Sequence, residues 1–193
     1  MAGVIVRSDL KTAQAEAWVI KLERGDFESE GETGYILSIG PSLLLLLIIS
    51  TEIRFNGFTV IRIEDITKLE APHIHAEFIE EVLRRRGESI EEAPPVSVAD
   101  MTNAIQAVSR LFPTVAIHRE VENSSICHIG KVVRVDAEHV HLLEIDPDAK
   151  WEEEPTDYRI ADITRLDFGG GYEDALALVG GDGPEFPHLR AVR

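Results

Sequence analysis

The chain has 193 residues, 19 of them basic and 35 acidic, for a formal charge of −16. A surface so acidic repels phosphate backbones and anionic membranes and favours basic partners. The single cysteine, Cys127, excludes an intramolecular disulfide and a cysteine-built metal cage.

Residues 1–9 lack a basic head followed by an apolar signal core, and the one greasy run, 43–49, is too short for a bilayer. Both observations lead to the expectation of a cytoplasmic protein without membrane contact. A short helix is predicted over 9–17. Strands follow at 18–23, 35–39, 43–49, 58–63 and 68–70, divided by turn formers such as Gly40-Pro41 and Asn56-Gly57. Next, Ile74, Phe78, Ile79, Val82 and Leu83 share one face of a helix ending at Arg84-Arg85-Arg86-Gly87. Three cations suit the negative helix end, and Gly87 suits the left-handed cap.

Glu91-Glu92-Ala93-Pro94-Pro95 marks a boundary between a first unit, 1–93, and a second, 94–193. Ser97 and Asp100 resemble a capping box for a helix over 98–112, whose apolar stripe is Val98, Met101, Ile105, Val108 and Phe112. Pro113 stops it. Strands are predicted at 115–121, 131–135, 139–145, 158–161 and 165–168. Gly169-Gly170-Gly171 reads as a flexible joint before a short helix over 172–179, and 180–193 reads as a mobile tail.

The two units are alike in detail. With one single-residue gap, Gly34, Leu46, Leu47, Ile49, Arg62, Ile63, Asp65, Ile66, Thr67 and Leu69 fall on Gly130, Leu142, Leu143, Ile145, Arg159, Ile160, Asp162, Ile163, Thr164 and Leu166. Such a self-match points to an internal duplication, two copies of one folding unit of roughly 95 residues. The Asp-Ile-Thr near the end of each copy reads as a single tight helical turn whose isoleucine plugs the core. The expected fold is therefore mainly β with accessory helices, α+β, as two tandem five-stranded barrels. Strand order and the segments 63–69 and 160–166 resemble the Sm-like and SH3-like small barrels. The Ile-Asp-Pro-Asp…Trp…Asp-Ile-Thr run is similar to that of a group of bacterial proteins of unknown function, a likeness that implies no activity.

Where the copies differ, Leu43, Leu45 and Ile48 align with His139, His141 and Glu144. A strand apolar on both faces needs cover on both. The candidates are the helix 74–83, the other barrel or a second subunit, with barrel against barrel or a homodimer favoured. These three residues are interface candidates; an exposed binding strip is the alternative.

His73 and His75, and His139 and His141, alternate along the chain as zinc ligands can, but nothing in the sequence places a third ligand. The loop Asp146, Pro147, Asp148, Ala149, Lys150, Trp151, Glu152, Glu153, Glu154 lacks the sixth-position glycine of a calcium loop. Its alignment with Phe55 makes Trp151 a core plug, and the acidic flank is the better candidate for contact with a partner. Cys127 and His128 are adjacent in a strand, so their side chains diverge. No catalytic, cofactor or metal residue is assigned. The sequence leads to a non-catalytic binding or adaptor protein that contacts a basic protein through Asp146, Asp148, Trp151, Glu152, Glu153 and Glu154, and in a narrower version inhibits it. An Sm-like nucleic-acid-binding regulator is the alternative, opposed by the charge. A metal-dependent hydrolase using the histidine pairs ranks last.

Overall fold

The computed structural model describes residues 7–25, 27, 31–90 and 93–186. The N-terminal stretch 1–6, the boundary acids Glu91 and Glu92, and the tail end 187–193 lie outside them. The first half runs α1 (Arg7–Ala15), β1 (Ile20–Glu23), β2 (Glu32–Ile39), β3 (Leu43–Ile49), β4 (Phe55–Arg62), a 3-10 turn (Ile63–Asp65), β5 (Lys68–Glu70) and α2 (Ala76–Arg85). The second runs α3 (Met101–Leu111), β6 (Val115–His118), β7 (Cys127–Val135), β8 (His139–Glu144), β9 (Thr156–Arg159), a 3-10 turn (Ile160–Asp162), β10 (Arg165–Phe168) and α4 (Gly171–Gly180).

All ten strands belong to one antiparallel sheet ordered β5-β1-β2-β3-β4-β10-β6-β7-β8-β9. Each half thus carries its own strands in the order fifth, first, second, third, fourth. The correspondence reaches local detail. β2 and β7 are both bulged, between Ile36 and Ser38 and between Val132 and Arg134. Gly34 and Gly130 are required at the matching place, because a Cβ there would lie 2.0 and 2.1 Å from the carbonyl oxygens of Leu47 and Leu143. In the Asp-Ile-Thr turns, Thr67 Oγ1 accepts from the Gly25 amide and donates to Glu23 O. Thr164 Oγ1 accepts from the Glu120 amide and lies 3.1 Å from His118 O. Both threonines tie the last strand of a half to its first.

The expected pair of closed barrels is corrected. Among the described residues no ladder joins β4 to β5 or β9 to β10, so the sheet is open and continuous. The physical reason lies at the seam, where β4 pairs with β10 in the register Leu166↔Val60 and Phe168↔Phe58. Val60 and Leu166 are fully buried there, and the Phe58 and Phe168 rings stack at 5.5 Å. One edge of each half is satisfied by the other half.

Every residue of β3 is buried. Leu44, Leu46 and Ile48 enter the first-half core with Leu10 and Ala13 of α1. Leu43 and Leu45 join the second-half core with Met101, Ala104, Ile105 and Val108 of α3. Leu47 and Ile49 pack with Ile79 and Leu83 of α2. Cover for the strand is intramolecular, so the homodimer invoked to shield it is not needed. Ile48 lies opposite Leu43 and Leu45, correcting their grouping, because strand positions alternate between faces.

Three smaller expectations change. Asp100 alone caps α3, accepting from the Asn103 amide at 2.8 Å, and the helix begins at Met101. Ile74 and Phe78, expected on one helix face with Ile79, Val82 and Leu83, are 79% and 62% exposed, whereas Ile79 and Leu83 are buried, and Ile74 lies ahead of α2. Gly169–Gly171 is a built turn rather than a loose joint. Gly169 takes φ 67°, and the Gly171 amide donates to Asn56 Oδ1 at 3.0 Å. Among the described residues no helix is long and apolar enough to cross a membrane.

Candidate functional site

The hairpin after β8 is closed by the bridge Ile145↔Trp151. Asp146 builds its turn: Oδ1 accepts from the amides of Asp148 and Lys150, at 2.8 and 2.9 Å. Asp148 is exposed and lies 3.3 Å from Lys150 Nζ. Glu152, Glu153 and Glu154 are exposed. Trp151 is half-buried; its indole N–H donates to Gly180 O at 2.9 Å, and its ring lies under Gly183. This bond fastens the acidic hairpin to the last turn of α4, where Leu178 and Val179 are 85% and 74% exposed. The sequence placed the acids and Trp151 together. The apolar neighbours from α4 were missed, although two adjacent aliphatic residues ahead of Gly180-Gly181 were the available signal.

The histidines are engaged with neighbours. His141 stands between two carboxylates, with Nδ1 2.5 Å from Asp157 Oδ1 and Nε2 3.0 Å from Asp136 Oδ2. Hydrogen bonds from His141 and from the amides of Glu138 and His139 hold the Asp136 carboxyl well below the usual carboxylate range. His73 and His75 place their rings 5.6 Å apart beside Phe78 and Ile79, in a cleft of about 360 Å³. Among the described residues no group of three His, Cys, Asp or Glu side chains is placed to hold a metal ion. Tyr158 Oη donates to Glu144 Oε1 at 2.6 Å, and His128 Nδ1 lies 3.0 Å from Glu144 Oε2. Partial burial together with the Asp167 and Glu173 carboxylates pushes the Cys127 thiol up, the reverse of what activates a nucleophile. Arg84 and Arg85 pair with Glu81, and Arg86 donates to the carbonyls of Glu52 and Ile53.

Only the tertiary structure assembles a polar cleft of about 400 Å³ at the seam, lined by Glu32, Asn56, Thr59, Arg165, Asp167 and Glu173. Arg165 Nε donates to Asp167 Oδ1 at 2.7 Å, and its Nη1 lies 2.5 Å from Glu32 Oε1. His118 Nε2 is 2.9 Å from Asp167 Oδ2, and the Thr59 hydroxyl donates to Oδ1. Burial pushes the Asp167 carboxyl up, but Arg165 and His118 overcome that and hold it far below its ordinary range. Alternation of Arg165 and Asp167 with Leu166 and Phe168 was a readable sign of a polar face. Nothing local names Glu32 or Thr59 as their partners.

Comparison of the chain with family models, with curated proteins and with solved structures gives no match. The fold and site define an open-sheet α+β protein with an acidic hairpin set against an exposed apolar helix end.

Proposed function

We propose that the chain is a non-catalytic scaffold, formed from two copies of one Sm-like or SH3-like unit, that receives a basic partner protein. The shared strand order, the paired bulges and the twin threonine ties support the duplication. The observation carrying the function is the Trp151–Gly180 bond, which fastens the hairpin bearing the exposed Asp148, Glu152, Glu153 and Glu154 to the end of the helix that bears the exposed Leu178 and Val179. An apolar centre with an acidic rim suits a partner segment that brings an aliphatic or aromatic side chain flanked by lysine or arginine. Rim charges of this kind speed encounter and exclude acidic competitors more than they add affinity. Nucleic acid is the weaker reading, because the charge of −16 opposes phosphate and the arginine cluster is already bonded within the protein.

The test is quantitative affinity capture from cells with the parent chain and a variant carrying Glu152→Gln, Glu153→Gln, Glu154→Gln, Leu178→Ser and Val179→Ser. A partner with a basic surface should be retained by the parent, released by rising salt, and lost by the variant. Recovery of the same proteins by both would reject the surface.

A further inference from the structure

Among the described residues the sheet has one internal seam, β4 against β10, and two free edges, β5 and β9. The free edges are the counterparts of the seam strands. Shared register with their neighbours places Tyr158, Asp157 and Thr156 at the positions of Ile61, Val60 and Thr59, and Pro155, the residue ahead of β9, follows in sequence at that of Phe58. By the same comparison Lys68, Leu69 and Glu70 stand where β10 carries Arg165, Leu166 and Asp167, and Ala71, just past β5, follows in sequence at the place of Phe168. A second copy of this chain could therefore add head to tail by repeating the seam, and unpaired edges invite such addition.

The two edges are not equally fit for it. β5 keeps the seam pattern, a cation, a leucine and a carboxylate, and loses only the aromatic ring of Phe168. β9 has changed at its centre. Val60, buried with Leu166 in the second-half core, is replaced by Asp157, which is exposed and bonded to His141. Phe58, stacked on Phe168, is replaced by Pro155, which has no aromatic ring and no backbone N–H. Leu43 and Leu45, which complete the seam-side core, are replaced by His139 and His141. Repeating the seam would press the Asp157 carboxylate onto Leu69, which packs against the first-half core. Taking that carboxylate, with the His141 ring bonded to it, out of water and against an apolar side chain opposes contact.

We infer that Asp157 and Pro155, backed by His141, close the β9 edge against a second copy of the chain, so that the array ends at two units. β5 stays competent to pair, and the block is one-sided. The test restores the seam residues on β9 with Pro155→Phe, Asp157→Val and His141→Leu, and adds Ala71→Phe to rebuild the stack. Sedimentation of this variant over a dilution series should give concentration-dependent head-to-tail oligomers, while the parent stays free of them.

Register separates specific addition from stickiness. With Cys127→Ser throughout, one preparation carries Thr156→Cys and the other Glu70→Cys, the counterparts of Thr59 and Asp167. A short bis-maleimide should join them to each other only in the restored background. Asp157→Val alone, at an exposed position, is measured alongside and should shift the weight-average mass the same way by a smaller amount. Parent chains that already cross-link 156 to 70, or restored chains that associate without that cross-link, would overturn the inference. So would a folded single variant and a folded full variant that both sediment like the parent.

Discussion

Arg24 and Glu120 lie 96 positions apart and meet as a two-bonded ion pair, at 2.7 and 2.8 Å, with the arginine fully out of solvent. The pair joins the end of β1 to the end of β6, one from each half, and Thr164 Oγ1 adds a contact of 2.5 Å to Glu120. Removing one member leaves the other charged and buried, which costs about 3–5 kcal/mol. Arg24→Met should show that loss in urea unfolding, while Arg24→Met with Glu120→Leu should recover much of it. Burial pushes the Glu120 carboxyl up, but hydrogen bonds from Arg24 and Thr164 prevail and set it below its ordinary 4.5. Its folded value lies below its unfolded one, so the stabilisation is complete above about pH 4.5 and is lost as acid titrates the folded carboxylate. Parent and Arg24→Met should therefore converge in stability in that acid range.

Leu45 is fully buried on the face of β3 shared with α3. Leu45→Ala should cost about 2–5 kcal/mol in denaturant unfolding, transfer and cavity terms together. Leu45→Glu should yield no folded species by circular dichroism. A folded, soluble Leu45→Glu chain would contradict the cover assigned to this strand.

Thr67 and Thr164 make matching ties but stand in different surroundings. Thr67→Val removes an exposed tie, and about 1 kcal/mol is expected. Thr164→Val also takes a partner from the buried Glu120, and about 2–3 kcal/mol is expected. Equal losses in urea unfolding would contradict the difference in burial.

Gly34→Ala and Gly130→Ala should each be destabilising, by about 1–3 kcal/mol, because the added methyl meets a strand carbonyl that cannot move freely. The usual entropic gain from replacing glycine is too small to offset this. Thermal melts of the two variants should fall together.

Burial, with Asp167 and Asp174 close by, pushes the Glu173 carboxyl up from its ordinary 4.5. Here the folded value lies above the unfolded one, so protonation favours the fold and ionisation opposes it. Glu173→Gln should stabilise the protein near neutrality, and the gain should vanish below about pH 4.5, where both states hold the proton. Urea unfolding at several pH values measures the slope.

Much of the scaffold is legible in the sequence. The self-match located the strands of both halves, the two 3-10 turns and the two obligatory glycines, because each is set by local pattern and backbone geometry. The acidic hairpin with Trp151 was legible for the same reason, being one contiguous segment. Its apolar neighbours Leu178 and Val179 were not, since they arrive from α4 through one indole hydrogen bond. The cleft around Arg165 and Asp167 was illegible too, because Glu32, Thr59 and His118 come from three separate strands.

By itself the amino-acid order determined what each segment becomes: alternation makes strands, a three-to-four step makes helices, and glycine or proline ends them. Tertiary structure alone decided which edge meets which. β4 pairs with β10 rather than closing on β5: Val60 is buried opposite Leu166 and Phe58 stacks on Phe168, and the ten strands form a single open sheet. That choice compares distant surfaces for burial, and no local window of sequence contains both sides of the comparison.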